Sequence, residues 1–138
     1  MAPNRNNVML CFLALTSFSA SAAAQPEAPS YKPPAIEALR TPRYCWNQFM
    51  GEKFRGREYS IPREMCGTST NHYCPGLVQL DRANRTIGNE SRRRAYLEEA
   101  QKNALYTLRG ISTFPHCPIR ADVETTLRIV EIKLRAFK

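Results

Sequence analysis

The chain is short of acid. Its 138 residues hold 12 acidic side chains against 20 basic ones, a formal net charge of +8 at pH 7. A surplus of this size attracts acidic partners and works against binding to basic ones. Histidine is scarce too, with only His72 and His116. No Gly-x-Ser-x-Gly elbow and no glycine-rich phosphate loop occur, so the common hydrolase and nucleotide-binding signatures are missing. There is no Cys-x-x-Cys pair, which removes the thioredoxin-type redox motif and c-type haem attachment. No alternating strands joined by hairpin turns appear, which argues against a sandwich or barrel. The only strand-like run is Glu58-Tyr59-Ser60-Ile61.

The first 24 residues carry one early positive charge, Arg5, then an apolar run from Val8 to about Phe18, then Ala22-Ala23-Ala24. This is the layout of a secretory signal peptide cleaved before Gln25. The run is shorter than the roughly 20 residues a membrane span needs, so no transmembrane anchor is expected after cleavage. Cys11 would leave with the signal. The expected destination is outside the cytoplasm, periplasmic or secreted.

Four cysteines then remain: Cys45, Cys66, Cys74 and Cys117. An even number in an exported chain reads as two disulfides, and four cysteines allow three pairings. The favoured one is Cys45–Cys66 with Cys74–Cys117. Its loops of about 22 and about 44 residues would contribute about 3.4 and about 4 kcal/mol in the chain-entropy model.

Residues 25–43 contain five prolines and read as an extended spacer, with Ile36 and Leu39 able to dock locally. Residues 44–138 read as a disulfide-stabilised helical domain. A short helix is expected over residues 44–54, ending near Gly51. A second is expected from about Thr70, capped by Thr70 or Asn71 and ending before Gly88. Its inner face would be Tyr73, Leu77, Leu80 and Asn84, with Val78 beside them. Asn89 or Ser91 can cap a third, which stops at Gly110. Its face of Leu97, Ala100, Ala104, Leu108 and Ile111 has helical spacing. Pro118 begins the last helix, from Ile119 to about Phe137. Ile119, Val123, Leu127, Val130, Leu134 and Phe137 form its stripe, broadened by Ile129 and Ile132. The expected fold is an all-α bundle of three main helices plus a short N-terminal helix, stapled by disulfides.

The run Gly76-Leu77 with Leu80, followed by Tyr96, Ala100, Ala104 and Pro115, resembles a tetratricopeptide-like α-hairpin over residues 70–137. The resemblance implies a protein-binding scaffold and not an enzyme. The run His72-Tyr73-Cys74-x-Gly76-Leu77 is also similar to small exported bacterial proteins of unassigned function.

Cys66, His72, Cys74, His116 and Cys117 gather both histidines beside cysteines. Such a set could hold zinc or Cu(I) if the thiols were free, but export favours disulfides. The acid pairs Glu98-Glu99 and Asp122/Glu124 fall on regular helices, where they form solvated faces. Ser69 or Ser112 could meet His72 or His116 only by assumption. The sequons at Asn84 and Asn89 fall in the expected interhelical loop. No catalytic, cofactor or metal residue is assigned.

Arg92-Arg93-Arg94 is the one cationic run, at a helix start where the dipole disfavours cations, and is the candidate partner-binding element. The expected function is a non-catalytic module that binds a protein, an acidic one by charge. The alternatives are a small exported inhibitor or immunity-type protein, and a periplasmic metal-binding protein using the His/Cys cluster. Nucleic acid is not an expected partner, because the chain is exported and no aromatics interleave with basic residues on a strand platform.

Overall fold

The structure, a computed structural model, describes residues 32–137. The expected signal peptide and residues 25–31 of the expected spacer lie outside the described residues. Among the described residues there are six α-helices and no strand. Three are short: α1 Ala35–Ala38, α2 Trp46–Met50 and α3 Arg63–Cys66. Three are long: α4 Tyr73–Arg85, α5 Glu90–Gly110 and α6 Arg120–Arg135. Short 3-10 turns at Arg43–Cys45, Gly51–Lys53, Arg57–Tyr59 and Ser69–His72 fill much of the first half. The all-α bundle of three main helices with a short helix before them is therefore present. No described helix is long and apolar enough to cross a membrane.

Both long-helix stripes read from the later sequence face inward. Leu97, Ala100, Ala104 and Ile111 are buried, as are Ile119, Val123 and Val130. Ile129 and Ile132, expected to widen the last stripe, are exposed. The face of α4 differs from expectation. Asn84 is exposed, and Leu77 and Leu80 are only partly covered, while Tyr73, Cys74, Gly76, Val78 and Ala83 are buried. The reason is that α4 is buried on more than one side. Cys74 and Val78 pack with Ala38, Cys45 and Phe49, whereas Ala83 packs with Leu97, Ala100 and Val130. Small residues carry the approach to α5: a Cβ on Gly76 would lie 2.9 Å from the Asn103 Cβ. A one-stripe reading overlooks such contacts because glycine and alanine contribute little hydrophobicity.

The helix start at Thr70 or Asn71 is also corrected. Neither side chain caps α4; the Ser69–His72 turn runs directly into it, and the Thr70 hydroxyl donates to the Gly67 carbonyl at 3.2 Å. Pro75 falls in the first turn of α4, where a missing N–H removes no helical bond. The cap of α5 is as expected, with Asn89 Oδ1 accepting from the Arg92 N–H at 2.9 Å. The strand-like run is not a strand, since Arg57–Tyr59 is a 3-10 turn. Tyr59 instead stacks on Trp46, with ring centroids 5.9 Å apart, and both rings meet Phe54 at 5.1 Å edge-on.

The disulfides pair otherwise than favoured. Cys45 bonds Cys74, and Cys66 bonds Cys117, with Cα separations of 5.5 and 4.8 Å. Both fall inside the range a disulfide spans. Sequence proximity favoured closing the loop region on itself, but tertiary packing fastens it to the helices. Each bridge sits in a separate apolar cluster. Cys66 and Cys117 lie with Tyr73, Ile111, Ile119 and Val123, and Cys45 and Cys74 lie with Ala38, Phe49 and Val78.

From Pro33 onward the expected spacer is part of the fold. Pro33, Ala38 and Thr41 are buried, and the Thr41 hydroxyl donates to the Ala38 carbonyl at 2.6 Å. The turn of α1 points Ala38 at the core and leaves Ile36 and Leu39, the residues expected to dock, exposed.

Candidate basic corner between the first and second long helices

Residues Thr86 to Asn89 join α4 to α5. The Thr86 N–H and hydroxyl both donate to the Arg82 carbonyl, at 3.0 and 2.8 Å, which closes α4 firmly. Gly88 then takes φ +73°, a left-handed value that glycine adopts without a Cβ penalty. Between them Ile87 protrudes, 93 % exposed.

Beside this tip runs an open groove of about 600 Å³, with Arg82, Arg85, Arg92 and Tyr96 on its walls. Glu37 of α1 reaches into it. Arg82 holds one Glu37 oxygen through Nε at 3.0 Å and Nη2 at 2.7 Å, and Arg85 reaches the other oxygen at 3.3 Å. Arg85 also pairs with Asp81 at 2.8 Å. Hydrogen bonding to Arg82 is the largest influence on Glu37 and, against the opposing effect of burial, holds its carboxyl below the ordinary carboxylate range. The Arg82 guanidinium also lies over the Tyr96 ring, 6.0 Å from its centroid.

Arg92, Arg93 and Arg94 are not one cluster. Successive helical residues project about 100° apart, so three in a row diverge. Arg92 lines the groove with Arg82 and Arg85. Arg93 lies over the Phe137 ring at 5.7 Å from its centroid. Arg94 pairs with Glu98 at 2.8 Å and borders a different depression with Glu131 and Arg135. Sequence reasoning missed Arg82, Arg85, Glu37 and Ile87. The Asp81–Arg85 pair at helical i, i+4 spacing was the available signal for an ordered charged face there.

The His/Cys set is dispersed. A Cys74–Cys117 bond would have joined the two histidines, but those cysteines bond Cys45 and Cys66 instead. All four sulfurs are in disulfides and so are not thiolate ligands. His72 packs on Tyr106 with ring centroids 4.2 Å apart, and its Nδ1 lies 3.3 Å from Asn103 Oδ1. His116 is exposed in the turn between α5 and α6. Among the described residues no group of three or more His, Cys, Asp or Glu is arranged to hold a metal ion.

Several of the remaining candidates have structural partners. Glu99 lies 3.7 Å from Lys102. Asp122 accepts from the Tyr44 hydroxyl at 3.0 Å, and burial above all pushes the Tyr44 phenol up from its ordinary value. The Tyr73 hydroxyl, also raised by burial, is 2.9 Å from that of Thr126. The Ser112 hydroxyl donates to the Arg109 carbonyl at 2.7 Å and so faces away from a histidine-base role. Asn84 is exposed at the end of α4, whereas Asn89 serves as the α5 cap. No protein-family model, curated protein or solved structure matches the chain.

Proposed function

We propose that the protein is an exported, non-catalytic helical module that binds an acidic protein through the corner between α4 and α5. The observation that carries this reading is Ile87, 93 % exposed at the tip of a capped connection and flanked by the groove of Arg82, Arg85 and Arg92. A protruding apolar residue amid cations suits a partner with an apolar dimple inside an acidic rim. Two disulfides fit an oxidising compartment, in keeping with the signal-like N-terminus. The resemblance of residues 70–137 to a tetratricopeptide-like hairpin points the same way, to a scaffold. Arg92 remains a partner-binding residue in this reading, Arg93 stands at its edge, and Arg94 is left out.

The test is site-specific photo-crosslinking from position 87, with position 132 on α6 as the comparison. The expected result is an acidic protein captured from position 87 alone, with capture falling at least tenfold in an Arg92→Glu variant whose circular dichroism is unchanged. Equal capture from both positions, or capture that Arg92→Glu leaves intact, would overturn the reading.

A further inference from the structure

The first half of the fold carries its own surplus of cations. Residues 43–63 carry Arg43, Lys53, Arg55, Arg57 and Arg63 against two acids, Glu52 and Glu58. Five cations against two acids leave this stretch with a net charge of +3, a positive surface potential.

The same stretch forms one wall of a cleft of about 330 Å³, near the lower bound for small-ligand sites. Its other wall is the turn before α4. Tyr44 and Ile61 line it, and both also pack against the two disulfide-bearing clusters, so this part of the lining is rigid. Asn47 and Gln48 project from α2. Each has one amide N–H fixed, Asn47 to the Phe54 carbonyl at 2.6 Å and Gln48 to the Asn71 carbonyl at 2.6 Å. These bonds orient both amides and leave each side-chain oxygen able to accept. Ser60, Thr68, Thr70 and Asn71 complete the polar lining; the Thr70 hydroxyl donates to Gly67, and the other three side chains make no hydrogen bond among the described residues. Arg63 stands at the cleft with no carboxylate paired to it among the described residues.

Typical ligand pockets are mainly apolar, and this one is not. Groups that both donate and accept suit a ligand made of hydroxyls, each of which also does both. A tyrosine ring and Ile61 suit the C–H face of a sugar ring. A guanidinium free of an internal partner suits a carboxylate, which it can hold bidentately. We propose that this cleft binds an acidic saccharide unit, a sugar ring bearing a carboxylate, with Arg63 on the carboxylate and Asn47, Gln48, Ser60 and Asn71 on the hydroxyls. The site is separate from the corner, and neither assignment depends on the other.

The test is titration of the disulfide-intact protein with trigalacturonate, followed by amide NMR shifts. A triglutamate peptide serves as an anion without sugar hydroxyls. The expected result is saturable shifts confined to residues 44–48 and 60–71 with trigalacturonate, and at least fivefold weaker binding of triglutamate. Arg63→Gln should weaken trigalacturonate about tenfold, and Arg63→Lys should restore part of it, as loss of a charge-assisted hydrogen bond predicts. Asn47→Asp should also weaken it, while Arg92→Gln leaves it unchanged. Equal binding of triglutamate would reduce the site to a cation patch and overturn the saccharide assignment. Absence of saturable shifts, or binding indifferent to Arg63→Gln, would overturn the site itself.

Discussion

The two halves of the molecule are held together by different means. Residues 73–135 form three long helices whose apolar spacing buries Leu97, Ala100, Val123 and Val130. Residues 33–72 form a string of single turns, too short to stand as isolated helices. The second group relies on point fastenings: two disulfides, the Trp46–Phe54–Tyr59 contacts and side-chain bonds such as Asn47 to Phe54. The halves also treat charge differently. On the long helices Arg85 and Arg94 meet carboxylates at i, i+4 spacing and Arg82 and Arg93 lie over aromatic rings, whereas in the turn-rich half Arg43 lies over Trp46 and acids are few. Regular structure brings i, i+4 partners together of itself, and a turn-rich segment does not.

This contrast can be broken most sharply at the disulfides. Trp46 is the only tryptophan and lies in the turn-rich half, so its fluorescence reports on that half alone. Replacing Cys66 and Cys117 by Ala is expected to remove about 4 kcal/mol, and replacing Cys45 and Cys74 slightly less, from the loop lengths they close. Trp46 fluorescence should then change at lower denaturant than far-UV circular dichroism. Coincident transitions would show instead that the halves form one cooperative unit.

The next effect should appear in the helical half. Leu97 is fully buried beside Ala83, Ala100 and Val130. Leu97→Ala should destabilise by about 3 kcal/mol, through lost burial and the cavity left behind. In this case circular dichroism should respond at least as early as Trp46. A change below 1 kcal/mol in urea unfolding would mean that this cluster is not the core of the helices.

A smaller loss, about 1 kcal/mol, is expected for Asn89→Ala, which removes the α5 cap. Thermal unfolding measures it, and a shift no larger than that of Asn84→Ala would argue against the cap. The smallest effect sits on the seam between the halves. Glu37 is held below its ordinary value of 4.5 by Arg82 and Arg85, so its pairing stabilises the fold above about pH 4.5. That contribution is lost as pH falls through the lowered value, because protonation then favours the unfolded chain. Glu37→Gln should remove up to about 1 kcal/mol at pH 7 and flatten the stability profile below pH 4.5. A wild-type and variant profile that remain parallel down to pH 2 would separate Glu37 from the seam.

Much of the helical half was legible because burial there follows a 3.6-residue period: the stripes of α5 and α6, the Asn89 cap and the stop at Gly110. The turn-rich half was not, since its contacts are made one at a time between residues distant in sequence. The candidate sites divide in the same way. Arg92 was visible as part of a run, but its companions Arg82 and Arg85 come from the neighbouring helix. In the turn-rich half aromatic and basic residues alternate on successive turns, not on a strand, with Arg43 over Trp46.

The sequence by itself determined the helical class and the excess of positive charge, since composition and local periodicity carry these. Tertiary structure alone decided which cysteines meet, that Pro33–Thr41 belongs to the fold, and that Arg92 faces a groove shared with Arg82 and Arg85 while Arg93 meets Phe137. Those outcomes depend on which surfaces come together after the helices form. A disulfide joins Cα atoms a few ångströms apart in space, whatever their distance along the chain.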